Sequence, residues 1–157
     1  MQSIKLIYTS YYYQIRNFKP YMIPVSTSLG DPKWFHDNKG NHVIFQDKRN
    51  VINGIRFEYI MVQKNCCGCP CEKKDPNSCN FLKQYKIELN KLDFKTTLNY
   101  LQWLADTMQK YLNLKEEPVI VLMVHESYTN KCSERQVLQD YFNNNGIKCK
   151  ELEYPIC

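Results

Sequence analysis

The spacing of apolar and polar positions changes along this chain, and each change marks an element. Residues 119–124, Val-Ile-Val-Leu-Met-Val, are apolar without a break. A run this short and this rich in β-branched residues predicts a strand buried on both faces. It stops at the polar cluster His125, Glu126 and Ser127. Ser133-Glu134-Arg135-Gln136 then predicts a helix start, with Ser133 and Gln136 as a capping box. Val137, Leu138, Tyr141 and Phe142 form its apolar stripe, and Asn145-Gly146 its C-terminal cap. Two more helical stripes precede the central strand. One is Phe81, Leu82, Tyr85, Leu89 and Leu92. The other follows an N-cap at Asp93 and runs through Phe94, Leu98, Leu101, Ala105, Met108 and Leu112, with Glu116-Glu117-Pro118 as its predicted end.

Further strands are predicted at Ser3 to Thr9, Met22 to Ser26 and Ile147 to Tyr154. In the last of these Cys149, Leu152 and Tyr154 are interspersed with charged residues, which suits an edge strand. Ser10 to Phe18 reads as a turn with a short helix. The turn signals Asn38-Lys39-Gly40-Asn41 and Asn53-Gly54 predict a hairpin of His42 to Gln46 with Ile55 to Val62. Strands alternating with helices predict a single α/β domain over residues 1–157, with a mostly parallel sheet and helices packed on its faces.

Composition narrows the function classes. The chain has 157 residues, 43% of them hydrophobic, which is enough for one real core and excludes a disordered chain. Its longest apolar runs are far shorter than a membrane span, so no membrane partner is expected. The opening MQSIKLIYTS lacks the plan of a signal peptide, and a cytoplasmic location is expected. The net charge of +5 is uneven: residues 1–65 hold nine Lys and Arg against four Asp and Glu, together with eleven of the 21 aromatics. Basic residues interleaved with aromatics suit a nucleic acid or nucleotide partner. A solvated basic surface over an aromatic core has the same composition.

Five of the eight cysteines, Cys66, Cys67, Cys69, Cys71 and Cys79, fall within fourteen residues. Thiols gathered this way in a chain without a signal peptide point to metal rather than disulfides. Cys66 and Cys69 have knuckle spacing, and Gly68 and Pro70 permit tight turns. Cys79 opens a predicted helix, where a thiolate is favoured. The expectation is a small cysteine-rich metal-binding insertion at about residues 65–80, holding Zn²⁺ or, alternatively, an iron–sulfur cluster. Its role is structural, since five thiols can close four positions.

In open α/β sheets ligands bind outside the carboxyl ends of the strands, where helix N-termini point. That rule predicts one anion-binding pocket lined by Ser10, Tyr11, Ser28, Lys33, Trp34, Glu126, Cys132 and Arg135. Ser10, Tyr11, Ser28, Lys33, Trp34 and Arg135 are the candidate ligand-binding residues, with Arg135 able to fork onto a phosphate or carboxylate. Arg135 and Glu126 could instead pair with each other across the loop. Glu126 and Cys132 are the catalytic candidates. Glu126 would serve as base or as acceptor of a sugar hydroxyl. Cys132 would be a nucleophile or, with no histidine following it, a part of the anion site or of the packing.

Three stretches resemble one family. Tyr8-Thr9-Ser10-Tyr11 is similar to its opening TSY motif, and residues 24–35, PVSTSLGDPKWF, to its SIxRGxPKW segment. The strand ending in Glu126, followed by Cys132 and Arg135, resembles its CYE…CHR segment. The family is domain-of-unknown-function family 488, the YeaO-like proteins. Val124 and His125 stand where that pattern has Cys and Tyr, and Cys132-Ser133-Glu134-Arg135 replaces Cys-His-Arg, so the chain resembles a divergent, phage-borne branch. The resemblance implies an α/β fold with a site built from these motifs, and no established activity. Two functions follow: a nucleotide- or nucleic-acid-binding or -processing protein, or a non-catalytic module that sequesters a small nucleotide or contacts a protein partner.

Protein purified without chelator is expected to carry about one zinc per chain, held by four of the five clustered cysteines. Elemental analysis finding neither zinc nor iron removes the metal site.

Overall fold

The computed structural model describes residues 3–27, 55–56, 77, 79–124 and 133–153. Among the described residues five strands form one sheet: β1 (Leu6–Tyr11), β2 (Met22–Ser26), β3 (Ile55–Arg56), β4 (Val119–Val124) and β5 (Lys148–Glu151). A 3-10 helix, Tyr12–Asn17, follows β1. The α-helices are α1 (Asn80–Asn90), α2 (Phe94–Tyr111) and α3 (Glu134–Asn144). The strand order is β3-β2-β4-β1-β5, and every pairing is parallel. The described residues therefore form an α/β fold. β4 is the middle strand, which is why its sequence is apolar at every position: both faces and both edges are covered.

The direction in which the chain crosses the sheet decides which face each connection covers. β1 connects to β2 by crossing β4 one way, and β4 connects to β5 by crossing β1 the other way. With one hand of crossover, two connections in opposite directions must lie on opposite faces. The buried clusters show this. Ile120, Leu122 and Val124 of β4 share a cluster with Tyr85 and Leu89 of α1, Leu101 and Met108 of α2, and Leu138 and Phe142 of α3. Val121 and Met123, pointing the other way, pack with Tyr12 and Phe18 of the first connection and with Leu152. Among the described residues all three α-helices thus cover one face, and the 3-10 helix covers the other. The sequence pattern, which predicts helices on both faces, does not reveal this asymmetry.

Local chemistry explains most element ends. Asp93 caps α2: its carboxylate accepts from the Thr96 amide at 3.0 Å and the Thr96 hydroxyl at 2.6 Å. Those bonds hold the Asp93 carboxyl below its usual range. The end of α2 comes earlier than Glu116-Glu117-Pro118. Asn113 adopts a left-handed conformation (φ 52°), and Leu114 N–H donates to the Gln109 carbonyl. Ser133 caps α3 by accepting from the Arg135 amide at 3.2 Å. The other half of the expected capping box is replaced, since the Gln136 side chain donates one turn ahead to Asp140. Gly146, at φ 88°, ends α3 in the region only glycine enters freely.

Two strands are displaced from their predicted limits. β1 begins at Leu6 because the Ile4 amide is taken by the Gln102 side chain at 2.8 Å. It continues to Tyr11 because β4 extends to Val124 beside it. β5 ends at Glu151, and Leu152 joins the opposite cluster from Cys149, so these two do not share a face. β5 is an edge strand as its pattern predicts. Ile55 and Arg56 pair parallel with β2; the predicted hairpin partner His42 to Gln46 lies outside the described residues.

Cys79 occupies the N-cap position of α1 and is buried. Cys66, Cys67, Cys69 and Cys71 lie outside the described residues, among which no cluster of metal-ligating side chains occurs. No helix among the described residues is long and apolar enough to cross a membrane.

Phe142 is fully buried beneath α3 and meets Phe94 and Tyr141 edge-on, with ring centroids 5.9 and 5.2 Å away. Phe142→Ala is expected to cost about 4 kcal/mol of unfolding free energy, read as a lower denaturant midpoint with an unchanged slope.

Candidate functional site

The carboxyl ends of three parallel strands lie side by side. Tyr11 of β1 is in register with Val124 of β4, and Met123 of β4 with Ser26 of β2. The adjoining Thr27 is buried, and its hydroxyl and amide both donate to the Met123 carbonyl, at 2.8 and 3.3 Å. Between β1 and β4 the chain departs toward opposite faces, through the 3-10 helix after β1 and through α3 after β4. That is the switch point of an open parallel sheet, the place where such folds form a crevice.

Tyr11 stands at this point and is met from both sides. Its hydroxyl accepts from Gln14 of the 3-10 helix at 2.6 Å. Its ring lies under the guanidinium of Arg135, whose Cζ is 5.9 Å from the ring centroid. Arg135 belongs to the first turn of α3, so the positive end of that helix faces the same crevice. Tyr11 and Arg135, two of the sequence-predicted ligand residues, are therefore brought together. Ser10 is wholly buried and alternates to the other face of the sheet from Tyr11. Ser28, Lys33, Trp34, Glu126 and Cys132 lie outside the described residues.

The carboxylate that meets Arg135 is Glu151, one of the charged residues of the edge strand β5. Arg135 Nε donates to Glu151 Oε1 at 2.6 Å, with the arginine side chain 8% exposed and the glutamate 23%. The same oxygen accepts from the Thr9 hydroxyl at 2.8 Å, and Gln139 of α3 donates to that hydroxyl. Thr9 and Glu151 are register partners of β1 and β5, and Cys149 lies two residues before Glu151 on the same face. A carboxylate spaced two residues from a buried position was the available signal, but it could be used only once β5 was known to lie beside β1.

Burial pushes the Glu151 carboxyl above its usual range, and Arg135 and Thr9 pull it back only in part. Its second oxygen, Oε2, is buried with no hydrogen-bond partner among the described residues. Burial, with the Glu151 charge adding, pushes the Cys149 thiol up to about 12, so this cysteine is an inert core residue.

A cavity of about 500 Å³ opens at the opposite edge, beside the last turns of α2 and the amino ends of β1 and β4. Lys5 and Lys115 in its lining are balanced by Asp106 and Glu117. The neighbouring helix end is negative, which disfavours an anion. The carboxyl edge, with a helix N-terminus and a buried arginine, has the electrostatics that suit an anion better. Compared with protein families, characterised proteins and solved structures, the chain has no match in any of the three.

Glu151→Ala removes the acceptor of two buried donors and is expected to destabilise the fold by roughly 3 kcal/mol. Glu151→Gln retains Oε1 and should cost far less. Because the folded-state pKa of Glu151 is raised, its contribution is present below the ordinary glutamate pKa and is lost as pH rises through the raised value. Wild-type stability relative to Glu151→Gln should therefore fall with rising pH across that window, the reverse of an ordinary salt-bridged carboxylate. Denaturant unfolding of both proteins at a series of pH values measures it; a difference that is flat or grows with pH contradicts the assignment.

Proposed function

We propose that this chain binds a phosphate-bearing ligand, a nucleotide or a nucleic acid, in the crevice between the carboxyl ends of β1 and β4. The observation that supports this reading is the position of Tyr11, held by Gln14 from one departing connection and covered by Arg135 from the other. Aromatic face, guanidinium and helix N-terminus are the three groups that bind a base and its phosphate. The segments that continue from these strand ends carry the remaining candidates. Ser28, Lys33 and Trp34 follow β2; His125 and Glu126 follow β4; Cys132 precedes the cap of α3. The excess positive charge of residues 1–65 favours the same ligand class. On this reading the protein is first a binder. Glu126 is the residue that would add catalysis, as a base toward a ligand hydroxyl.

The cysteine segment has a separate role in this proposal. Four of Cys66, Cys67, Cys69, Cys71 and Cys79 close a structural zinc site that orders an insertion with few apolar residues of its own. Cys79 suits the part: it is a sulfur at the N-cap of α1, already buried against the core.

Calorimetric titration of the full chain with ribonucleotides and with short single-stranded DNA, at low and at moderate salt, tests the binding site. Affinity for single-stranded DNA should drop roughly tenfold or more as salt rises from about 50 to about 200 mM. Failure to bind any nucleotide or nucleic acid, or binding indifferent to salt, rejects the reading.

A further inference from the structure

Glu151 is the one carboxylate among the described residues that touches the crevice arginine, and it does so from outside the motifs that mark the site. It reaches Arg135 Nε at 2.6 Å, and Thr9 fixes the same oxygen from the neighbouring strand at 2.8 Å. Gln139, one turn beyond Arg135 on α3, donates to the Thr9 hydroxyl. Three elements thus converge on one carboxylate oxygen: β1 through Thr9, α3 through Arg135 directly and through Gln139 by way of Thr9, and β5 through Glu151 itself. The oxygen that remains, Oε2, is buried and receives no donor among the described residues.

We propose that Glu151 is the positioning residue of the crevice and the brake on its affinity for anions. Its pairing with Nε aims the guanidinium over Tyr11, and its negative charge offsets the positive charge that an anion would meet there. This inference rests on the crevice being an anion site, as proposed above.

Glu151 acts on the arginine in two ways. The first is geometric. A guanidinium has a fixed planar fork, so fixing Nε at 2.6 Å fixes the directions of its remaining donors. The second is electrostatic. A charge at this distance is felt strongly in a partly dry site, so an incoming phosphate meets an arginine already largely neutralised. When the carboxylate takes a proton from solvent, Oε1 can still accept from Nε while the offsetting charge disappears. Oε2 is the natural seat of that proton, because no donor among the described residues stabilises its anionic form.

The groups facing Glu151 bear this out. From α3 it meets Arg135, the charged neighbour, and from β1 the neutral Thr9. On its own strand Cys149 is a thiol held neutral, and Lys150 points to the other face, where its Nζ lies 5.8 Å from the centroid of the Tyr8 ring. Burial raises the Glu151 pKa against the pull of Arg135, so the proton is taken up above the ordinary carboxylate range.

The test is binding of a short oligothymidylate, whose phosphodiesters and bases do not titrate between about pH 5 and pH 8. It is measured across that range for the wild type, Glu151→Gln and Glu151→Asp, with thermal unfolding to confirm that each is folded. All other titratable groups are common to the three proteins, so the difference between curves reports position 151. Near neutral pH, Glu151→Gln should bind roughly fivefold to tenfold more tightly than the wild type. The two curves should converge as pH falls, and Glu151→Asp, which keeps the charge, should retain a wild-type-like slope. If wild type and Glu151→Gln bind with the same affinity and pH profile, Glu151 has no such role while the binding site stands. If Glu151→Gln binds more weakly at every pH, the charge supports the ligand rather than opposing it, and the inference is overturned. If no protein binds the oligonucleotide at any pH, the site itself is rejected and this inference with it.

Discussion

The arrangement of this molecule depends on the burial of β4. A strand apolar at every position has to be covered above, below and along both edges. With β1 and β2 supplying its edges, the chain crosses β4 in leaving β1 and crosses β1 in leaving β4. A single hand of crossover then sends the two connections to opposite faces. The three α-helices of one face, the 3-10 helix that the described residues place on the other and the parting of the chain between β1 and β4 all follow from that one constraint.

The crevice chemistry is a consequence of the parting. Tyr11 ends β1 where the strand beside it also ends, so its ring and hydroxyl lie between the two departing segments. Arg135 reaches it because Ser133 caps α3 immediately before. The arginine is too buried to lack a counter-charge, and the sheet supplies one from an unexpected direction, the edge strand β5. Glu151 in turn is costly to bury, and its cost is offset by Thr9 and Arg135 without being cancelled.

Much of the fold was legible in the sequence where the signal is local. β2 and β4 coincide with their apolar runs. The caps at Asp93 and Ser133 and the glycine after α3 could be read because a cap depends on two or three neighbouring residues. The limits of β1 and the end of α2 were misjudged for the opposite reason. Gln102 claims the Ile4 amide from 98 residues away, and a left-handed Asn113 stops α2 before any proline is reached. The carboxyl-edge location of Tyr11 and Arg135 was legible because it follows from parallel strands alone.

Periodicity determines which residues must be buried and where elements start, since both are fixed by hydrogen bonding and solvation within a few residues. Only the tertiary structure decided the strand order, the face taken by the helices and the pairing of Glu151 with Arg135. The same alternation along β5 fits a solvated edge or a buried ion pair equally well. What separates the two is the neighbour β5 acquires, Thr9 of β1 beneath α3, and a contact across 142 residues leaves no periodic trace in the chain.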